Sequence, residues 1–223
     1  MATSNVITVP EICLERHTIY VIGNSSLIVH AFPEKARKEM LEKQMKTARA
    51  AKVARDPYRE VEASRYLLPD GRDGFPAVGF KAAAVTACTS LGRDVTKVAA
   101  RQAFRVEGIA MTADGVLDGS AVRTALVPLV AGPHRIREDV TRLSGPGRAA
   151  DMRYRPEFYP WGAELSVVIN PAVISIGQLL NMFQAAGHGV GIGDYRPERD
   201  GDCGTFDIVQ EGEFNAWRKE AGL

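Results

Sequence analysis

From Ala163 to Gln210 the chain reads as strand, helix, glycine-rich loop and strand, and no other stretch narrows the fold as much. The apolar run Leu165–Ile169 predicts a strand. Ser175 stands as an N-cap before Ile176, Leu179, Leu180 and Phe183, whose spacing predicts a helix over 176–186. Gly187 is read as its stop, and Thr205–Gln210 as the closing strand. Between them Gly187, Gly189, Gly191 and Gly193 leave alternate positions without a Cβ, and Gly201 and Gly204 follow. Such a backbone takes positive φ and lets another backbone or a phosphate come close. Tyr195, Arg196 and Arg199 share the loop, so bare amide donors and guanidinium charge together favour an anionic ligand. The same glycines equally suit a tight crossover packed on a neighbouring strand or subunit. No Gly-Lys-Ser/Thr follows, which excludes a Walker loop, and the glycines close a helix, whereas a dinucleotide fingerprint opens one.

Upstream, Thr18–Ile22 and Leu27–Phe32 flank Gly23-Asn24-Ser25-Ser26 and predict a hairpin. Residues 34–55 carry Lys and Arg around the thin stripe Leu41, Met45 and Ala48, which predicts a polar helix that cannot lie deep in a core. Its Lys46, Arg49 and Lys52 are candidate phosphate contacts, and the span 34–74 is taken as a basic helical insertion. Pro76 and Gly92 bracket a helix over Phe75–Leu91, and a short helix from about Val95 leads into a strand at 104–110. Val122–Val130 is a strand whose Pro128 requires an edge or a bulge. Residues 132–158 read as a basic loop carrying Arg135, Arg137, Arg153 and Arg155. A tail with Phe214 and Trp217 is expected to pack back on the last strand. Stripped of insertions, the order 27–32, 76–91, 104–110, 163–169, 176–186, 205–210 is βαββαβ. That predicts one α+β domain over 1–223, with helices on one face of a ferredoxin-like, RRM-like antiparallel sheet.

Formal net charge is only +1, so any basic surface must be local. No apolar run approaches the ~20 residues of a membrane span, and the N-terminus lacks a signal-peptide pattern, so a soluble, cytoplasmic protein away from membranes is expected. Cys13, Cys88 and Cys203 are too scattered for a metal pair or a disulfide framework and read as thiols. His17, His30, His134 and His188 show no ligand spacing, and Asp194, Asp200 and Asp202 meet no cation-loop pattern, so neither metal nor cofactor is expected. His188 is the one candidate for acid–base cleavage of RNA, and a lone histidine is more often structural.

The loop Gly189-Val190-Gly191-Ile192-Gly193, its later Gly201 and Gly204, and the elements around it resemble the glycine-rich loop of the RAMP superfamily, RRM-like proteins of CRISPR RNA complexes. The chain departs from that pattern at Gly201-Asp202-Cys203-Gly204-Thr205-Phe206, where a tight Gly-x-Gly before an aromatic is usual. It also looks like uncharacterised bacteriophage or prophage proteins with an LIVH…F start and a GIG-x-[WY]-RPE ending, a likeness that brings no activity. The basic segments and the glycine loop, taken with the RAMP-like resemblance, lead to the expectation of a non-enzymatic, phage- or mobile-element-type binder of RNA or single-stranded DNA, assembled as a homo-oligomer or in a multiprotein complex. Tyr154 and Tyr195, beside arginines, are candidates to stack on bases, although such tyrosines more often cover the edge of a core. The same residues also suit a binder of small cyclic or oligonucleotide signals, an assembly protein, or a metal-independent ribonuclease.

Overall fold

The computed structural model describes residues 11–32, 34–45, 54–92, 95–111, 122–142 and 150–223. In chain order the first half holds β1 (Glu15–Gly23), β2 (Leu27–Ile28), α1 (Glu34–Gln44), α2 (Pro57–Ala63), β3 (Gly74–Pro76), α3 (Ala77–Ala87) and α4 (Lys97–Ala103). Then come β4 (Phe104–Glu107), β5 (Ala110–Met111), β6 (Val122–Arg123), β7 (Leu126–Ala131), β8 (Arg135–Arg142) and β9 (Ala150–Phe158). The chain closes with β10 (Trp161–Ile169), α5 (Ile176–Gly189), β11 (Phe206–Val209) and α6 (Glu211–Glu220).

The main sheet runs β11-β1-β10-β7-β3, with β4 also on β10, and all its ladders are antiparallel. Reduced to β1, α3, β4, β10, α5 and β11, this is the ferredoxin-like βαββαβ unit with spatial order fourth, first, third, second. One side of β10 is shared: Trp161–Ala163 pair with β7 and Ser166–Ile169 with β4. Pro128 falls where β7 changes partner from β3 to β10, so its missing N–H interrupts neither ladder centrally.

Ile19 and Val21 of β1, Leu165, Val167 and Ile169 of β10, and Phe206 of β11 are buried on the face that α3 and α5 cover. α5 starts at a capping box, with Gln178 N donating to Ser175 Oγ at 3.2 Å and Ser175 N to Gln178 Oε1 at 2.9 Å. Leu179, Met182, Phe183 and Ala186 form its buried stripe. The helix continues through Gly187 to Gly189. Gly187 serves contact: a Cβ there would stand 1.8 Å from the Phe206 carbonyl oxygen. On the opposite face α6 lays Phe214 on Tyr20, ring centroids 5.2 Å apart, and Gly162 leaves room for Trp217. The expected packing of the tail is therefore observed.

Two larger expectations also fail. Residues 18–22 and 27–32 form no hairpin, because β10 and β11 occupy both edges of β1. The intervening corner is held elsewhere: Trp161 Nε1 donates to Ser25 O at 2.7 Å, and Gly204 N to Ser26 O at 2.8 Å. β2 thus crosses to a second sheet, β2-β9-β8, and the first core strand is β1. Nor are residues 132–158 a loop: β8 and β9 form a long ribbon, paired from Arg135↔Glu157 to Arg142↔Ala150. Within 34–74, α1 accounts for part of the predicted basic helix, while α2 packs against β9 with Val61 buried. Lys46, Arg49 and Lys52 lie outside the described residues.

Candidate functional site

Residues directly opposite in an antiparallel pair share a face. The pairs Arg135↔Glu157, Arg137↔Arg155 and Asp139↔Arg153 therefore put Arg135, Arg137, Arg153 and Arg155 on one face of the ribbon, interleaved with Asp139 and Glu157. Arg155 is the anchor, only 4% exposed. Its Nη1 donates to Asp139 Oδ2 at 3.1 Å, and Arg137 Nε donates to Asp139 Oδ1 at 3.0 Å. Arg137 Nη1 also reaches Glu157 Oε1 at 3.3 Å. Arg155 Nε lies 3.2 Å from Asp194 Oδ2 but is misaligned for a hydrogen bond, which leaves a half-buried ion pair with an unsatisfied, buried N–H on the arginine side.

The glycine loop meets this face. The Arg137 and Arg155 guanidinium carbons each lie 5.4 Å from the Tyr195 ring centroid, within cation–π range. Tyr195 is held there at φ 55°, a left-handed conformation uncommon for a side-chain-bearing residue. Arg196 turns inward, donating to Gly193 O at 3.0 Å and to Glu198 Oε2 at 2.7 and 3.0 Å. Arg135 is exposed, as is Arg199 on the turn beyond Pro197. Arg153 approaches Asp151 only to 3.9 Å. Gly189 is exposed at the end of α5, with nothing within 4 Å of its Cβ direction.

Many of the loop amides are used inside the fold, as the tight-crossover reading of the glycines expects. Gly191 N donates to Ala186 O, Ile192 N to Gly204 O, Asp194 N to Ile28 O, Glu198 N to Val190 O and Cys203 N to Tyr195 O. The glycines admit close backbone: a Cβ at Gly204 would stand 1.8 Å from Ile192 O, and one at Gly193 2.4 Å from Ile28 O. The crossover is thus closed on itself and on β2. What it offers a ligand is side chains, with Gly191 and Gly193 as framework.

Beside the crossover lies a cleft of about 330 Å³, bounded by α3, the loop, His30, Tyr66 and Phe75. Asp194 stands between cleft and ribbon, with His30 Nδ1 3.6 Å from Oδ2 on one side and Arg155 on the other. Burial pushes its carboxyl up, but the His30 contact and the charges of Arg155 and Arg196 outweigh that and hold it below the ordinary aspartate value. Burial, with the Asp194 charge, pushes the Tyr66 hydroxyl up. His30, Tyr66, Asp139 and Glu198 escaped the sequence reading; only the Arg137-x-Asp139 alternation hinted at a charged strand face. His188 is exposed on the last turn of α5 and does not line the cleft. Among the described residues no cluster of His, Cys, Asp or Glu is arranged to hold a metal ion, and no helix is long and apolar enough to cross a membrane.

No protein-family model matches the sequence, and no curated protein matches it. Among solved structures, the crystal structure of Cmr6 from Pyrococcus furiosus aligns over 89% of this chain and 100% of its own, at 11% identity and a TM-score of 0.38. So remote a likeness assigns no residue a role.

Proposed function

We propose that this chain is a non-enzymatic nucleic-acid-binding protein that holds RNA or single-stranded DNA across the arginine face of the β8–β9 ribbon. The observation that carries this is the meeting of Arg137 and Arg155 on the Tyr195 ring, which joins the basic segment to the glycine crossover in one surface. A base stacks on an aromatic or guanidinium plane regardless of its sequence, while free arginines follow the phosphates. Arg137, Arg155 and Arg196 are tied to carboxylates and serve as a platform. Arg135, Arg153 and Arg199 are the cations least engaged and take the phosphate role. The back of the ribbon exposes Ile136, Val140 and Met152, a surface suited to a neighbouring copy along the strand.

Fluorescence anisotropy with a labelled single strand across a salt series tests the proposal. Three phosphate contacts predict a log–log slope of about −2, from about 0.7 per contact on single strands. An affinity indifferent to salt, or no binding at low salt, contradicts it. A second reading, a binder of small nucleotide signals, draws on the cleft beside Asp194. Stabilisation by mononucleotides without strand binding would favour it.

A further inference from the structure

The cleft has a chemistry that strand binding leaves unused. Its α3 wall is lined by the small residues Gly79, Ala82, Ala83 and Thr86, and Phe75 and Tyr66 supply aromatic lining. Gly79 keeps that lining in place, since a Cβ there would stand 2.6 Å from Phe75 Cε1. At about 330 Å³ the space lies at the lower end of the ~300–1,000 Å³ range of small-ligand pockets. It admits one base and excludes a duplex.

Charge decides which part of a nucleotide enters. Asp194 and Glu198 both line the cleft, and its one arginine, Arg196, is already bound to Glu198 and to Gly193 O. A phosphate inside would face two carboxylates with no uncommitted guanidinium to offset them. The entering group is therefore neutral and rich in donors. Glu198 makes its hydrogen bonds through Oε2, whereas the two ion pairs of Asp194, at 3.6 and 3.2 Å, are not aligned hydrogen bonds, so both oxygens of Asp194 remain able to accept. Guanine alone among the common bases presents two adjacent donors, N1–H and the N2 amino group, that one carboxylate can accept together. Adenine and cytosine present an amino group beside a ring acceptor, and uracil a single N–H between carbonyls.

We infer that the cleft receives one guanine base, read by the Asp194 carboxylate and covered by Phe75 and Tyr66, with the attached phosphate left outside toward the ribbon. For a guanine carried by a strand, this rests on the strand-binding function proposed above; for a free guanosine nucleotide it does not. The test has two arms. In the first, anisotropy compares uridine 12-mers bearing one central guanosine, adenosine, cytidine or uridine. In the second, melting of the protein is followed with GMP, AMP, CMP and UMP.

The single-guanosine strand should bind roughly tenfold more tightly than the others, as a bidentate base contact does elsewhere. GMP alone among the mononucleotides should raise the melting temperature. Asp194→Asn should cancel both preferences, because an amide presents one acceptor where the base needs two. Ala82→Leu, at an exposed position outside the core, should cancel them by filling the cleft without touching the ion pairs. Equal binding of all four strands with no GMP-specific shift overturns the guanine assignment and leaves strand binding standing. A GMP shift with no strand bound overturns strand binding and keeps the cleft. A preference that survives both substitutions also overturns the assignment.

Discussion

The main sheet and the β8–β9 ribbon hold their strands together by different forces. β10 buries Trp161, Ala163, Leu165, Val167 and Ile169 in the core, a term set by apolar area that salt does not screen. β8 buries none of its described side chains, and the face it shares with β9 is a lattice of Arg137 and Asp139 from β8 with Arg155 and Glu157 from β9. An anion cannot compete with the first arrangement. It can compete with the second, since each guanidinium that keeps a carboxylate partner is also a site for phosphate or a stacked base. The ribbon is therefore where this fold can respond to a charged ligand, and Asp194 is the point where ribbon, crossover and cleft touch.

The largest expected effect breaks the join between the two regions. Gly204→Ala places a Cβ 1.8 Å from Ile192 O at a φ of 69°, and should cost more than about 4 kcal/mol or abolish the folding transition in urea melts. Gly189→Ala, helical and open on all sides, should instead be neutral or stabilising by up to about 1 kcal/mol. Next come one substitution from each region. Trp161→Ala should cost about 3–5 kcal/mol, equally in low and high salt. Arg155→Ala leaves Asp139 and Asp194 without their shared cation. It should cost about 2 kcal/mol, below the ~3–5 of a fully buried pair because the Asp194 side chain is 38% exposed, and the loss should shrink in molar salt. Equal salt dependence of the two losses would erase the distinction between sheet and ribbon.

The pH dependence is smaller and has a definite sign. The folded-state pKa of Asp194 lies below the ordinary 3.8, so folding favours its charged form. Its contribution is present in full above the unfolded value and is lost as pH falls through the folded one. The stability difference between the native protein and Asp194→Asn should therefore fade in the acid limb of paired urea titrations. Smallest for stability is Arg135→Ala. It should change unfolding free energy by less than about 0.5 kcal/mol while making the salt slope of strand binding shallower by about 0.7.

Where a segment buries one face, its sequence declared it. The Leu179 and Phe183 spacing of α5 and the run Leu165–Ile169 stand as expected, and the second half of the ferredoxin-like order follows from them. Partner choice was hidden, because Thr18–Ile22 and Leu27–Phe32 look equally strand-like and only long-range pairing with β10 and β11 separates them. The ribbon was hidden for a related reason: Arg135–Arg142 alternates, but between charge and exposed Ile136 and Val140, so it lacks the apolar periodicity that marks a strand. Glycine spacing announced close approach without saying of what; it proved to be backbone from Ile28, Ile192 and Phe206. The cleft was out of reach, since His30, Tyr66, Phe75 and Asp194 meet only once the crossover is folded.

The most direct measurement of the central claim is photo-crosslinking of a 4-thiouridine-substituted single strand, with the adducts located by peptide mass spectrometry. Adducts on Tyr195 and on β8–β9 peptides carrying Arg135, Arg137 and Arg153 are the predicted result. Adducts confined to the main sheet, where Arg16 of β1 and Arg105 of β4 flank Val168 of β10, or to α6, with the ribbon unlabelled, would contradict it.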